Sequence, residues 1–145
     1  MKEDHYRKLE RMYLNANINT AFYKSTTCKI EHKTSTISLD ITDNYFHALG
    51  AIHGSVYFKL LDDAAFFAVN SIVNDVFVLT TSFNINMIRP VSQGVITAIG
   101  KVRFVSKQYF IAESTLFNEQ GKEMAFGNGQ FTRSTTPHSS EIGYL

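Results

Sequence analysis

Two adjacent carboxylates, Asp62 and Asp63, interrupt a stretch between Val56 and Val69 that is otherwise mostly apolar. The apolar residues there would cover nearly every face of a helix, which is typical of a buried helix. A carboxylate on such a helix is costly unless it is paired, hydrogen-bonded or facing a cavity. Neighbouring helical residues point about 100° apart, so the two carboxylates cannot do the same job. One is a candidate base or nucleophile, and the other would face solvent or cap a neighbouring element. The alternative is that both are structural.

The segment His53-Gly54-Ser55 leads from a loop into this helix. A helix N-terminus presents free backbone N–H groups and a partial positive charge. Gly54 would let an acyl carbonyl approach the backbone closely, so the helix start is a candidate oxyanion hole. The alternative is an ordinary helix start that is capped by His53 or Ser55.

The spacing of these two features restricts how they can act together. Gly54 and Asp62 are eight residues apart, which is about 12 Å along one helix. One helix therefore cannot place both at the same carbonyl carbon. Two copies related by a two-fold axis could bring Gly54 of one chain to Asp62 of the other, so a catalytic interpretation requires a homodimer.

The remaining pattern predicts an α+β protein with an antiparallel sheet rather than a βαβ repeat. Helical spacing of apolar residues predicts an N-terminal helix over about residues 3–15. Alternating β-branched residues predict one strand within Thr26–Ile41, followed by a loop over Thr42–Ile52. The buried helix should end near residues 70–74, and the Ser/Thr-rich tail, about 135–145, is expected to fray. Four long strands are predicted after the helix, at Val76–Arg89, Val95–Ser106, Gln108–Asn118 and Lys122–Arg133.

Length and composition set limits on the class of protein. The 145 residues fit one domain, and the net charge of +1 gives no reason to expect binding to nucleic acid or an anionic membrane. Cys28 is the only cysteine, so no intrachain disulfide can form. There is no signal-peptide pattern and no apolar run of the ~20 residues that span a bilayer. We therefore expect a cytoplasmic protein. No cluster of His, Asp and Cys has the spacing of metal ligands, so no metal is expected.

These motifs resemble the hotdog-fold thioesterases of the phenylacetic-acid-pathway (PaaI-like) type. The family signature is His-Gly-Gly at the start of a helix that carries Asp or Glu nine residues after the His, which His53 and Asp62 match. The strand Thr80–Arg89, followed by Pro90, and the segment Gly100–Arg103 are also similar to the family, and the resemblance covers about residues 34–133. It implies a five- to six-stranded antiparallel sheet wrapped around a long central helix. It also implies an acyl-CoA thioesterase with no cofactor beyond the coenzyme A of its substrate, assembled as a homodimer and then as a dimer of dimers.

The resemblance also implies roles for individual residues. Asp62 would be the nucleophile or the base that activates water, and the Gly54 N–H would hold the thioester oxygen. Thr80 stands where some relatives position the attacking water. His53 would shape the loop or bond near the thioester, or would be purely structural. His47 stands where the family often has Asn or Gln, and an imidazole can donate one hydrogen bond in its place.

The sequence departs from the family at the second glycine of the signature, which is Ser55 here. The further candidates for contact with substrate are Ser55 itself, Asp63 and Phe66. Basic residues near strand ends are candidates for contacts with the phosphates of coenzyme A, although they are also common solubility devices. These are Arg89, Lys101, Arg103 and Lys107.

Two other functions are compatible with the sequence. Hotdog dehydratases and hydratases often carry an Asp-x-Asn-Pro-x-His segment, and Asp43–His47 resembles it superficially, although the spacing differs and the proline is absent. A non-catalytic module that binds acyl-CoA or an aromatic ligand would use the 12 phenylalanines and the buried helix equally well.

Overall fold

The computed structural model describes residues 2–145 as three α-helices and six strands. Among these residues, no helix combines the length and the apolar character needed to cross a membrane. Short 3-10 helices occupy Asp43–Tyr45 and Ser140–Ile142. The main elements in chain order are α1 (Lys2–Leu14), α2 (Asn17–Phe22), β1 (Thr27–Glu31), β2 (Thr34–Asp40), α3 (Gly54–Asn70), β3 (Val76–Met87), β4 (Val95–Val105), β5 (Tyr109–Phe117) and β6 (Glu123–Pro137).

The six strands form one antiparallel sheet in the order β1-β2-β4-β5-β6-β3, and the sheet packs on the central helix α3. Helix and sheet touch directly at Gly100 of β4, where an added Cβ would lie only 2.1 Å from the carbonyl oxygen of Ala64. Leu60, Leu61 and Ala64 of α3 are fully buried in this contact layer. A helix apolar on most faces thus lies where the sequence predicts it, inside a curved sheet.

The stretch predicted as a single strand is a hairpin. β1 pairs with β2 in register, and the chain turns at His32 and Lys33. Lys33 adopts a left-handed backbone with φ of 61°. Glycine or asparagine usually marks such a turn, so the sequence carries no signal for it. The short helix α2 is also absent from the sequence prediction.

The tail differs from the prediction that it frays from about residue 135. β6 continues through Pro137, which pairs with Val76 of β3. Beyond it the Tyr144 hydroxyl lies 2.7 Å from Nδ1 of the buried His5, and the Tyr144 ring stacks on His138. A Ser/Thr-rich composition is typical of a frayed tail, but here the β-branched Thr135 and Thr136 extend β6, and Tyr144 docks the tail on α1.

The two edge strands of the sheet, β1 and β3, differ in whether another element covers their outer backbone groups. At the β1 edge, α1 satisfies the backbone groups of Ile30: Arg7 donates to the Ile30 carbonyl oxygen at 2.9 Å, and Glu10 accepts from the Ile30 N–H at 2.7 Å. At the other edge, β3 is bonded only to β6 within residues 2–145. Its 12 residues include neither a charge nor a proline. A long uncharged edge of this kind favours pairing with another strand.

Candidate active site

Asp62 faces an apolar cavity and is held by one hydrogen bond from the sheet. Thr80 of β3 donates to Asp62 Oδ1 at 2.9 Å. Burial raises the pKa of Asp62 to about 6; the bond from Thr80 and the charge of Lys59 oppose the rise, and the charge of Asp63 adds to it. Near neutral pH the carboxylate is therefore ionised and more basic than an ordinary aspartate, which suits a general base.

Asp63 has a different environment. Its Oδ2 accepts hydrogen bonds from Lys59 Nζ at 2.7 Å and from the Tyr13 hydroxyl at 2.7 Å. Lys59 also donates to Asn19 Oδ1 at 2.8 Å. These four residues, Tyr13, Asn19, Lys59 and Asp63, form what we call the N-terminal latch, because they fasten α1 and α2 to α3. The adjacent carboxylates thus have different partners, as their angular separation on the helix requires.

The start of α3 is capped by His53. Its Nδ1 accepts from the Ser55 N–H at 3.1 Å and lies 2.8 Å from Ser55 Oγ. His53 and Ser55 are both exposed. The described hydrogen bonds at this helix start leave the Gly54 N–H unused. A Cβ on Gly54 would lie 3.3 Å from Met87 Sδ, so glycine keeps this corner open.

Gly54 and Asp62, at two positions along α3, each have a separate contact with β3. Asp62 meets Thr80 near the middle of the strand, and Gly54 meets Met87 at its end. We call Asp62 with Thr80 the base half-site and Gly54 with Met87 the carbonyl half-site. Both lie on one helix, eight residues apart, or about 12 Å along its axis. They do not meet within one protomer.

His47 lies in the loop before α3 and is exposed. Its side-chain Nδ1 accepts from the Leu49 N–H at 3.1 Å, and its backbone N–H donates to the Ala51 carbonyl oxygen at 2.9 Å. The loop folds beside the helix start, since the His53 N–H donates to the Tyr45 carbonyl oxygen. His47 is thus associated with the carbonyl half-site and not with Asp62 of its own chain.

The cavity beside Asp62 has a volume of about 560 Å³, within the range of small-molecule sites. Phe66, one turn after Asp62 on α3, is among its aromatic walls, and its ring packs 5.5 Å from the ring of Phe77 and 5.0 Å from that of Phe67. Thr80 and the N-terminal latch also line it. Within residues 2–145, no group of three or more His, Cys, Asp or Glu side chains is arranged to hold a metal ion.

Comparison with known proteins places this geometry in a family. The sequence model of the thioesterase superfamily matches residues 49–125, which include both half-sites. The chain belongs to the thioesterase superfamily. No curated protein sequence matches the chain.

Solved structures confirm the predicted hotdog fold and the PaaI-like resemblance of this thioesterase-superfamily chain. The PaaI protein from the phenylacetic acid degradation operon of E. coli is 21% identical, with a TM-score of 0.84 over 95% of this chain and 99% of that one. A conserved protein from Pseudomonas aeruginosa is 19% identical, with a TM-score of 0.76 over 85% and 97%. A mutant thioesterase from the same organism is 15% identical, with a TM-score of 0.73 over 88% and 94%.

The basic residues that the sequence offers as candidate contacts for coenzyme A are dispersed. Arg89 follows β3 at the carbonyl half-site, and its backbone oxygen accepts from the Tyr57 hydroxyl at 2.6 Å. Lys107 lies in the turn between β4 and β5, with Arg103 nearby on β4; both are exposed. β4 and β3 are three strand spacings apart in the sheet, or about 14 Å. Within one protomer these two side chains are therefore remote from the β3 edge.

Sequence reasoning missed the part of the cavity that comes from the ends of the chain. It is lined by Met12 and Ile18 from the N-terminal helices, by Ala16 between them and by Ile142 from the tail. The amphipathic pattern of α1 signals that one face is buried, but not what it covers. Lys59 was likewise not identified, although its spacing of four residues from Asp63 is the usual signal for a helical ion pair.

Proposed function

We propose that this protein hydrolyses an acyl-CoA thioester to the free acid and coenzyme A. The observation that carries the proposal is Asp62, a carboxylate with a raised pKa, held by Thr80 on the wall of an apolar cavity. In a thioesterase-superfamily fold, this is the combination that general-base hydrolysis of an apolar acyl thioester needs.

The chemistry requires one water. Asp62 takes a proton from the water as its oxygen attacks the thioester carbon, and the carbonyl oxygen becomes an oxyanion that the Gly54 N–H stabilises. Collapse of this intermediate breaks the C–S bond, and the proton held by Asp62 passes to the departing thiolate. In the alternative route Asp62 attacks the carbon itself, expels the thiolate and forms an acyl anhydride, which water then hydrolyses.

Both routes need a second copy of the chain, because the two half-sites are separated along α3. The β3 edge supports a two-fold pairing, since it is long, uncharged and unpaired within the described chain. Antiparallel pairing that sets Thr80 of one copy against Met87 of the other has its axis near Phe83 and Asn84. It brings each base half-site to the other copy's carbonyl half-site and creates two equivalent sites.

The same pairing suggests where coenzyme A lies. Arg89, Ser55 and His47 accompany the carbonyl half-site, so they would border the thioester from the copy opposite Asp62. Arg103 and Lys107 would contact the phosphates only if the nucleotide extends across the sheet or another protomer approaches. A pairing of two dimers would supply such a protomer.

Thiol release tests the activity. Wild type is assayed with short, medium, long and aromatic acyl-CoAs, and we expect turnover that Asp62→Ala abolishes while the variant stays folded. A wild type that binds acyl-CoA but releases no thiol from any of them would support the binding module instead. Loss of enoyl absorbance without free thiol would indicate a hydratase.

Protomer association is tested by substitution at Asn84. Asn84→Lys places two like charges near the proposed axis, so we expect a monomer in analytical ultracentrifugation and loss of thiol release. Asn128→Lys is the matched control, because Asn128 is the exposed cross-strand partner of Asn84 on β6 and lies off the edge. A dimeric, active Asn84→Lys variant would contradict the pairing. The wild-type mass also decides whether two dimers associate.

A further inference from the structure

We infer that the acyl group enters the cavity of the protomer that supplies Asp62, and that residues from the two ends of the chain set its length. The residues assigned this role are Ala16, between α1 and α2, and Ile142 in the tail. The inference rests on the proposed hydrolysis and adds the substrate class, an uncharged aliphatic or aromatic acyl group.

The direction of the acyl group follows from α3. Asp62 and Phe66 both line the cavity, and they are four residues apart, about 6 Å along the helix. Phe66 packs against Phe67 and Phe77, so aromatic rings form part of the apolar wall beyond the carboxylate. A thioester carbon held beside Asp62 would therefore send its acyl group toward these rings. Burial of apolar surface there favours a hydrocarbon or an aryl group.

The ends of the chain close this space. Ile142 and Ala16 both line the cavity. A Cβ on Gly143 would lie 3.5 Å from Met12 Cα, so Ile142 lies beside α1. The tail is anchored near the C-terminal end of α3, because Tyr144 meets His5, whose Nε2 lies 2.8 Å from the Asn70 carbonyl oxygen. Ile142 thus approaches the cavity from the C-terminal end of α3, whereas Gly54 lies at the N-terminal end.

The ammonium group of the N-terminal latch already has its partners, which excludes an acyl group with a terminal negative charge. Lys59 Nζ contacts three acceptors, Tyr13 Oη at 3.1 Å, Asn19 Oδ1 at 2.8 Å and Asp63 Oδ2 at 2.7 Å. An ammonium group has three N–H donors, so none is left for the far end of an acyl chain. A terminal carboxylate on the acyl group would be buried without a partner.

Two variants change the depth of the cavity in opposite directions. Ile142→Ala lengthens it, and Ala16→Leu fills it at a position with an extended backbone, φ −62° and ψ 142°. Glu141→Ala is the matched control, since Glu141 is the exposed neighbour of Ile142 and does not line the cavity. We measure kcat/KM for straight-chain and arylacyl-CoAs of increasing length, with thermal unfolding as a check on folding.

For Ile142→Ala we expect the preferred acyl length to increase, with the ratio of kcat/KM for long over short substrates rising by about tenfold or more. Ala16→Leu should change that ratio by a similar factor in the opposite direction, and Glu141→Ala should leave it unchanged. Ile142→Ala alone decides the matter if Ala16→Leu does not fold. A wild-type length profile in Ile142→Ala, with turnover intact, would overturn the inference while the hydrolase proposal stands.

Binding separates the two proposals. Non-hydrolysable S-alkyl-CoA thioethers of the same lengths are titrated by calorimetry into wild type and Ile142→Ala. If wild type releases no thiol but Ile142→Ala shifts the preferred alkyl length, the proposed hydrolysis fails and the acyl cavity is supported. If the thioethers bind with no dependence on alkyl length, the acyl cavity is refuted. Absence of both binding and turnover would refute both proposals.

Discussion

Replacement of Asp62 by asparagine should make the protein more stable and catalytically inactive. The pKa of Asp62 is raised from 3.8 to about 6 by burial, so the ionised carboxylate is held in the folded state at a cost. Each pKa unit corresponds to about 1.36 kcal/mol, which gives about 3 kcal/mol as an upper limit. Because the group is only partly buried, solvent screening reduces the expected gain to about 1–2 kcal/mol. Asparagine keeps an oxygen that can accept from Thr80.

The sign of this effect depends on pH. A carboxyl group whose pKa is higher in the folded state stabilises that state when protonated, and this stability is lost as pH rises through about 6. The gain from Asp62→Asn should therefore be full above pH 7 and absent below about pH 4, near the ordinary aspartate pKa. Urea unfolding at pH 7.5, 6 and 4, at one protomer concentration, measures it. Thiol release should fall by about 10²–10⁴-fold, the usual contribution of a general base.

Asp63→Asn is the matched control because the two carboxylates are neighbours on one helix. This change leaves Lys59 without its ion-pair partner, and both side chains are mostly buried, 11% and 20% exposed. We expect a loss of about 1–3 kcal/mol in the free energy of unfolding. If both variants were destabilised equally at pH 7.5, or if Asp62→Asn retained wild-type turnover, the separate roles assigned to the two carboxylates would be refuted.

Two further substitutions test the half-sites. Thr80→Val removes the hydrogen bond that lowers the pKa of Asp62, so the acidic limb of the kcat/KM–pH profile should move up by about one pH unit. Thr80→Ser should keep the wild-type limb, and an unmoved limb in Thr80→Val would contradict the coupling. Gly54→Ala adds a methyl group 3.3 Å from the flexible Met87 Sδ, so thermal unfolding should barely change while kcat/KM falls by up to about 100-fold. Full activity in Gly54→Ala would remove Gly54 from the carbonyl half-site.

The central helix was predictable because its apolar pattern is nearly continuous and its start is marked by His53-Gly54. The β1–β2 hairpin was not, because its turn depends on a left-handed Lys33 rather than on a glycine. The docked tail was missed for a related reason: the contact between Tyr144 and His5 joins residues 139 positions apart. Local composition carries no information about such a contact, which only the folded chain creates.

The difference between Asp62 and Asp63 likewise depends on contacts between residues far apart in the sequence. The sequence shows that the two carboxylates must point in different directions, but the partners that distinguish them come from distant segments. Tyr13 is 50 positions from Asp63, and Thr80 is 18 positions from Asp62. The sequence therefore predicts that the two carboxylates differ, and the fold supplies the different partners of each.

The two sheet edges give the strongest structural reason for an assembled active site. α1 covers the β1 edge at Ile30, to which it supplies both a donor and an acceptor. β3 has no such cover within residues 2–145, yet it carries Thr80 and Met87, the contacts of the two half-sites. A strand that pairs with a second copy of itself would satisfy its free backbone groups and join the separated half-sites in one step. Under the proposed pairing, stability and catalysis would both require β3 to pair, and this would account for the absence from this edge of the charges that usually prevent such pairing.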